Sequence, residues 1–406
     1  MTHETILLHG HIIDSLLLPK VLDRILQYGG SFELAHIRIG KTREEPSDAR
    51  IIVHAESPER LAEIIAAVQA HGAAVEKEAD CQWQEALADG VFPDNFYVTT
   101  HLPTEVRVHG KWVPVEGIEM DLGIRLDRND LVPHTVPMAD VRKGDQIAVG
   151  REGIRVTPLE RPAHLDVFGF MGAQVSSERP HGYLIAGIAR RMQALRKSEA
   201  KILLAGGPAI IHGGGREPMA WLIEAGYVHV LFCGNALAAH DMEAHLYGTS
   251  LGLHLEGGSL AHHGHEHHLR TINRIRAIGS IEEAVRQGVI TTGIMAACVR
   301  RGVKVVMAGT IRDDGPLPGV ITDSVQAQAA MRDALPGVEL ALLVASTLHA
   351  VATGNLLPAS VPTVCVDVNP AVPTKLADRG SLQAIGLVMD AASFLRELAR
   401  QLGWKE

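Results

Sequence analysis

The order of apolar segments predicts an α/β protein in three parts, and three observations carry that prediction. Over residues 1–92 the pattern runs β-α-β-β-α-β. Over 93–182 short strands alternate polar and apolar residues between turn formers. Over 183–406 continuous apolar runs of strand length alternate with helices.

In the first part, TILLHGHII reads as a strand and LLPKVLDRILQYGG as an amphipathic helix. SFELAHIRIGKT and DARIIVHAES form a strand pair. In SPERLAEIIAAVQAHG, Ser57 can cap the first turn, Pro58 suits its opening position and Gly72 ends it. A strand at AAVEKEA completes a ferredoxin-like α+β unit. Such units bind a regulator or a partner, or join copies of a chain, and the sequence does not choose among these; a homo-oligomer (dimer or tetramer) is the expected state of the protein.

The second part is read as a small β domain with connecting loops. A Gly-Lys turn between VRV and WVPV predicts a hairpin, and VRKGDQIAVGREGIRVTPL is a second hairpin-rich stretch. In the third part, YLIAGIARRMQALRK and EPMAWLIEAG are helices. KILLAGG, VHVLFCG, VKVVMAG, ELALLVAS and PTVCVDV are strands. Unbroken apolar strands between helices predict a parallel, Rossmann-like sheet covered on both faces. Ligands bind beyond the carboxyl ends of such strands.

Composition excludes several classes. A net charge of −9 with 4% aromatic residues argues against a nucleic-acid partner, which needs a basic face and stacking rings. No apolar run approaches the ~20 residues that span a membrane, and MTHETILLHGHIID lacks the features of a signal peptide. Cys81, Cys233, Cys298 and Cys365 make no CxxC pair, and the last three sit in apolar runs. That usage predicts free buried thiols and a cytoplasmic location.

Chemistry is therefore sought at the strand ends. KILLAGG continues as GGPAIIHGGG, whose glycines let backbone approach a phosphate, although this is not a GxGxxG fingerprint. VLFCG leads to Asn235 and Ala236, and VVMAG to Arg312, Asp313 and Asp314. LLVAS leads to Thr347, Leu348 and His349, and TVCV to Asp367, Asn369 and Lys375. Each alone is an ordinary turn or cap residue. Together they suit a cofactor with ribose hydroxyls and amides, and the acidic groups favour NAD over its 2′-phosphorylated form.

The run HLEGGSLAHHGHEHHLR, residues 254–270, holds six histidines and suggests a metal site. It fits neither HExxH nor Cys/His zinc spacing, and its own carboxylates are Glu256 and Glu266. A metal-dependent hydrolase is thus a minor rival, and no metal is expected.

These motifs together resemble one family. GGPAIIHGGG, VLFCGNALAAHDMEAHLYGTSLG, GHEHHLRTINRIRAIGSI, AGTIRDDGPLPGVITD and CVDVNPAVPTKLADRGSLQAIGLVMD carry the resemblance, with FYVTTHLPTEVRVHGKWVPVEGIEMD and FGFMGAQVSSERP. It is the archaeal-type ornithine cyclodeaminase family, whose N-terminal part is the lysine-oxoglutarate reductase/saccharopine dehydrogenase conserved region. The resemblance implies a C-terminal NAD domain similar to deoxyhypusine synthase, and conversion of L-ornithine to L-proline and ammonia. It implies cofactor contacts at Asn235, Ala236, Asp314, Ser346, Thr347, Leu348, His349, Asp367, Asp390 and Ala391. It also implies that the arginine-hydrolysing domain fused to some relatives is no part of this chain. Where the family has TTN, this chain has TTH, so His101 replaces an amide.

Such a reaction needs a carboxylate anchor, for which Arg107, Arg179, Arg270 and Arg312 are candidates. His101 and His267 join Arg107, Arg179 and Arg270 as expected substrate contacts. His212 and His349 are the shuttle candidates, Asp313 an orienting group and Lys375 a carboxylate or proton-transfer group. The alternatives are another NAD-linked amino-acid dehydrogenase or deaminase, and a non-catalytic NAD-binding amino-acid sensor.

Overall fold

The computed structural model describes residues 2–13, 17–42, 45–69, 71–76, 79–127, 131–157, 175–176, 181–313, 315–378 and 384–405. Two compact units emerge: Met1–Gly169 with Leu357–Ser360, and Phe170–Leu356 with Val361–Glu406.

The first unit opens with β1 (Thr2–Gly10), α1 (Leu17–Gln27), β2 (Ser31–Arg38), β3 (Ser47–Ala55), α2 (Pro58–Gln69) and β4 (Ala74–Val75). The antiparallel sheet order β2-β3-β1-β4 is the expected ferredoxin-like arrangement. Strand period and helix period converge on one core. Ile6, Leu8, Ile51 and Val53 from the sheet meet Val21, Ile25, Ile64 and Val68 from the helices, all buried. Ser57 Oγ accepts from the Arg60 N–H at 3.2 Å, which is the predicted cap.

The same unit contains β5 (Gln82–Glu85), β6 (Thr104–Val108), β7 (Lys111–Pro114), β8 (Gly123–Leu126), β9 (Pro133–Val136), β10 (Gln146–Val149) and β11 (Ile154–Val156). They form two sheets, β5-β10-β8-β9 and β11-β6-β7. The hairpin between β6 and β7 exists, but it turns on His109 and Gly110, at φ 49° and 76°, while Lys111 already pairs with Val108. A two-residue turn of that hand requires positive φ at both central positions, and glycine supplies the second freely. The second expected hairpin is absent. Strands β10 and β11 join different sheets because both edges of β10 are taken, by β5 and β8.

The second unit carries β12 (Val175–Ser176), α3 (His181–Leu195), β13 (Lys201–Gly206), α4 (Ala209–His212), α5 (Arg216–Glu224), β14 (Val230–Cys233) and α6 (Asn235–Tyr247). It continues through β15 (Thr249–Ser250), β16 (Leu253–His254), α7 (Gly264–Ile278), α8 (Ile281–Arg286), α9 (Ile294–Arg301), β17 (Lys304–Ala308), β18 (Val320–Ile321) and α10 (Ser324–Asp333). It ends with β19 (Val338–Val344), α11 (Thr347–Leu356), β20 (Thr363–Asp367), α12 (Ala371–Asp378), β21 (Ala384–Val388) and α13 (Ala391–Gln401).

Its main sheet is parallel, in the order β12-β21-β20-β19-β13-β14-β17-β18. Within it, β17-β14-β13-β19-β20-β21 follows the doubly wound order 3-2-1-4-5-6, so the chain changes direction between β13 and β19. Ile202 to Ala205 and Leu340 to Val344 are fully buried at this centre, as unbroken apolar runs require. Register aligns the strand ends in one row: Met307, Cys233, Gly206, Val344, Val366 and Leu387. Cys81, Cys233, Cys298 and Cys365 are buried and unbridged. Among the described residues no helix is long and apolar enough to cross a membrane.

A buried carboxylate ties α6 to α5 through an ion pair and to α9 through backbone hydrogen bonds. Asp241 is fully buried and accepts from Arg216 Nε at 2.8 Å and from the N–H groups of Ile294 and Met295 at 2.9 and 2.8 Å. It thereby satisfies the open amino end of α9. Gly293 between them has φ 103°, and a Cβ there would stand 2.2 Å from the Arg216 guanidinium. Asp241→Ala is expected to cost about 3–5 kcal/mol by stranding a largely buried arginine, and Gly293→Ala should destabilise in the same direction. Urea midpoints of the two variants check both.

Candidate active site at the strand ends

The row of strand ends places most of the expected cofactor residues along one line. Asn235 lies two residues past Cys233, Ser346 two past Val344, Asp367 one past Val366 and Asp390 three past Leu387. At the switch point the two central loops touch. The Gly207 N–H donates to the Val344 carbonyl at 3.0 Å, and a Cβ on Gly207 would meet the Ala345 carbonyl at 1.8 Å. Only glycine permits that approach, which leaves backbone lining the crevice. The later glycines of the motif serve packing. Gly214 has φ 82°, and a Cβ on Gly215 would lie 3.2 Å from Ala392 at the start of α13.

Several expected contacts also have local structural roles. Asn235 is buried, and its Oδ1 accepts from Leu317 N–H at 3.0 Å. Asp367 accepts from Asn369 N–H at 2.8 Å. Asp390 caps α13 through Ser393 N–H at 2.7 Å, next to buried Ala391. Asp313 accepts from Thr310 N–H at 2.9 Å. Ala236 and Ser346 are half-buried, and Thr347 and Leu348 are exposed. Asp314 and Arg179 lie outside the described residues.

The titratable centre is a group of imidazoles around one buried carboxylate. Glu243, on α6, is fully buried; its Oε2 accepts from His240 Nδ1 at 2.8 Å and its Oε1 from the Thr249 hydroxyl at 2.9 Å. The His240 ring meets His212 edge-on at 4.7 Å and His268 at 4.6 Å between centroids. His268 Nδ1 lies 4.0 Å from Glu243 Oε2 and has no hydrogen-bond partner. His212 Nδ1 faces Ser250 Oγ at 2.7 Å. Burial, and then the neighbouring His240, push His212 down to about 4. Burial likewise lowers His268 and His349, against the pull of Glu243 on the first and of the Cys233 carbonyl and Asp313 on the second. The His349 ring packs on Gly234, and its Nε2 is buried without a partner.

The remaining candidates lie on several elements. His101 and Arg107 belong to the first unit. There, buried His101 pairs through Nδ1 with the Leu357 carbonyl at 2.8 Å, and Arg107 faces Asp80 at 3.6 Å. Arg270 is exposed and paired with Glu266 one turn away. Lys375 is exposed in the last turn of α12. His267 joins the centre: it stacks on Tyr247 at 4.4 Å, and its Nδ1 lies 2.9 Å from Thr249 Oγ1.

His240 and Glu243 were not singled out by sequence reasoning. Their one signal was HDME inside LAAHDMEAHLYG, three titratable residues in four on a helix that follows a buried strand. His240, Glu243 and His268 also have ligand atoms within 4.8 Å of one another. The buried carboxylate beside His268 is therefore Glu243, contributed by α6, while Glu266 faces the exposed His263 at 3.5 Å and His265 at 3.8 Å. Both oxygens of Glu243 already accept from protein donors.

Comparison with known proteins agrees with this architecture. Residues 186–398 match the family described as arginine dihydrolase ArgZ-like, C-terminal, Rossmann fold. Residues 103–185 match the first region of the same C-terminal part, and 3–102 the LOR/SDH bifunctional enzyme conserved region. The ornithine cyclodeaminase of Methanopyrus kandleri is 48% identical over 98% of this chain and 97% of its own length. The chain belongs to the archaeal-type ornithine cyclodeaminase family.

Two solved structures place the family's architecture. The apo structure of ArgZ, an arginine dihydrolase from the ornithine-ammonia cycle in cyanobacteria, superposes with a TM-score of 0.86 at 37% identity, over 99% of this chain and 58% of that one. The ternary complex of AgrE with ornithine and NAD+ matches at TM-score 0.54 and 40% identity, over 99% of this chain and 57% of that one. This chain thus spans a little over half the length of those two proteins.

The depressed His212 has a consequence for stability. Its folded-state value of about 4 lies below the ordinary 6.5, so between those values the unfolded chain binds more protons than the folded one. Its contribution is complete above pH 6.5 and is lost as pH falls toward 4. His212→Gln is expected to flatten part of the acid-side decline, as measured by urea midpoints across that window.

Proposed function

We propose that this chain is an NAD-dependent ornithine cyclodeaminase, converting L-ornithine to L-proline and ammonia. The observation that carries the reading is a backbone-lined switch-point crevice at the ends of β13 and β19 in the same unit as a buried carboxylate–imidazole centre on α6, the helix that follows β14. The AgrE complex with ornithine and NAD+ supports it, since 99% of this chain matches 57% of that protein.

The residues present fit the cofactor. Gly207 lets its loop close on the Ala345 carbonyl, so that backbone walls the crevice, and the buried Nε2 of His349 is left without a protein partner beside Gly234. NAD would be held by Asn235, Ala236, Ser346, Thr347, Leu348, His349, Asp367, Asp390 and Ala391, with Asp314 completing the set. When bound, it would supply a reversible hydride acceptor for the substrate α-carbon, so no redox equivalent would be consumed overall.

The protein's own part is binding and proton handling. Arg312, exposed after β17 and close enough to act on His268, is the second unit's candidate anchor for the α-carboxylate. His212, His268 and His349 are held toward their neutral forms by burial. Neutral imidazoles can accept protons from a substrate that enters with two ammonium groups.

Purified chain given NAD and L-ornithine is expected to release proline and ammonia in equal amounts with no net build-up of reduced nicotinamide. Steady accumulation of reduced nicotinamide would mark a dehydrogenase instead, and stabilisation by ornithine without turnover a sensor. Gly207→Ala is expected to abolish the rise in Tm on adding NAD, because its Cβ would collide with the Ala345 carbonyl.

A further inference from the structure

The wiring around Glu243 assigns a role that neither the strand-end motif nor the overall reaction specifies. Thr249 has one hydroxyl proton and gives it to Glu243 Oε1, so its oxygen accepts from His267 Nδ1, 2.9 Å away. His267 lines a surface pocket of about 320 Å³ with Tyr247, Glu266 and Arg270. Glu243 Oε2 accepts from His240 Nδ1, which fixes that ring with its proton on Nδ1 and its lone pair on Nε2.

Among the three rings that meet here, His240 is the one hydrogen-bonded to a carboxylate. His212 faces a hydroxyl, and His268 stands 4.0 Å from Glu243. Other charges near the group are accounted for. Asp241, adjacent in sequence, is committed to Arg216 and the start of α9, while Arg312 and Asp313 act on His268. A buried carboxylate behind an imidazole holds its tautomer and stabilises its cation.

We infer that His240, backed by Glu243 and steadied by Thr249, is the catalytic group that moves protons between the two nitrogens of the diamino-acid substrate during ring closure. The inference rests on the proposed function. Once the α-carbon is an imine, the terminal ammonium gives a proton to His240 Nε2. The freed nitrogen pair attacks the imine carbon, a new C–N bond forms, and the π pair moves onto the α nitrogen, which takes up the proton from the imidazolium. Both nitrogens now stand on one carbon, so a single base reaches both.

The ring nitrogen is still an ammonium, and Nε2 transfers its extra proton to the α nitrogen. The old C–N bond then breaks with its electron pair leaving on ammonia, and the ring nitrogen's pair closes the cyclic iminium. The imidazole ends neutral, as it began. No electron is gained or lost in these steps.

The test uses the intact chain with NAD and L-ornithine, following proline, ammonia and the absorbance of reduced nicotinamide. In His240→Gln, the first hydride transfer should proceed while ring closure stalls. Reduced nicotinamide then accumulates in a single turnover, and proline formation falls by about 100-fold or more. Glu243→Gln should lower kcat comparably and move the acid limb of its pH profile to lower pH, because the imidazolium loses its carboxylate.

Thr249→Val should lower kcat roughly tenfold, the order of one hydrogen bond, with KM little changed, and Thr249→Ser should restore it. The Thr249 pair decides the matter if either replacement at His240 or Glu243 fails to fold. Wild-type kcat and pH profile in His240→Gln or Thr249→Val, with the parent making proline, would overturn the shuttle alone. A parent chain that binds NAD and makes no proline would overturn the proposed function itself.

Discussion

The pairing of β13 with β19 is the constraint on which the second unit depends. These two strands are buried apart from Lys201 and Glu339 near their starts, and the chain leaves them in opposite directions along the sheet. Where they end, the loops cannot cover one another, and a crevice is a geometric consequence. Gly207 against the Ala345 carbonyl shows how closely the two loops approach. Register then carries the same level across the sheet, so residues far apart in sequence, such as Asn235 and Asp367, stand along one line.

Helix α6 converts that geometry into chemistry. It starts directly after β14 and is buried almost all round, yet it carries His240, Asp241 and Glu243. Buried charges persist only with partners. Asp241 turns toward Arg216 and the amino end of α9, which anchors the helix. Glu243, two residues on and facing elsewhere, takes its hydrogen bonds from His240 and Thr249. The structural pair and the chemical pair thus share one helix and face different neighbours.

The histidine-rich run changes meaning in this setting. His262, His263 and His265 are exposed, while His267 and His268, one residue apart on α7, are drawn toward Thr249 and Glu243. Density of imidazole in sequence was a poor guide to which rings matter. Helical phase, and the β15–β16 turn that brings Thr249 and Ser250 beside them, made the selection.

The sequence by itself determined the α/β class, the ferredoxin-like order and the parallel sheet, because period-2 and continuous apolar patterns encode burial locally. It also marked the strand-end residues, since small polar groups after apolar runs are visible in any linear reading. It misplaced the turn at His109–Gly110 and joined β10 to β11, because partner choice depends on which strand edges are already occupied. Only the tertiary structure decided that His240, Glu243, Thr249, His267 and His268 meet. Their contacts cross from α6 to the β15 strand and α7, and no sequence period reports a distance between separate elements. The same limit hid Glu243: a carboxylate inside an apolar helix is legible as an anomaly, but its partners are supplied by the fold.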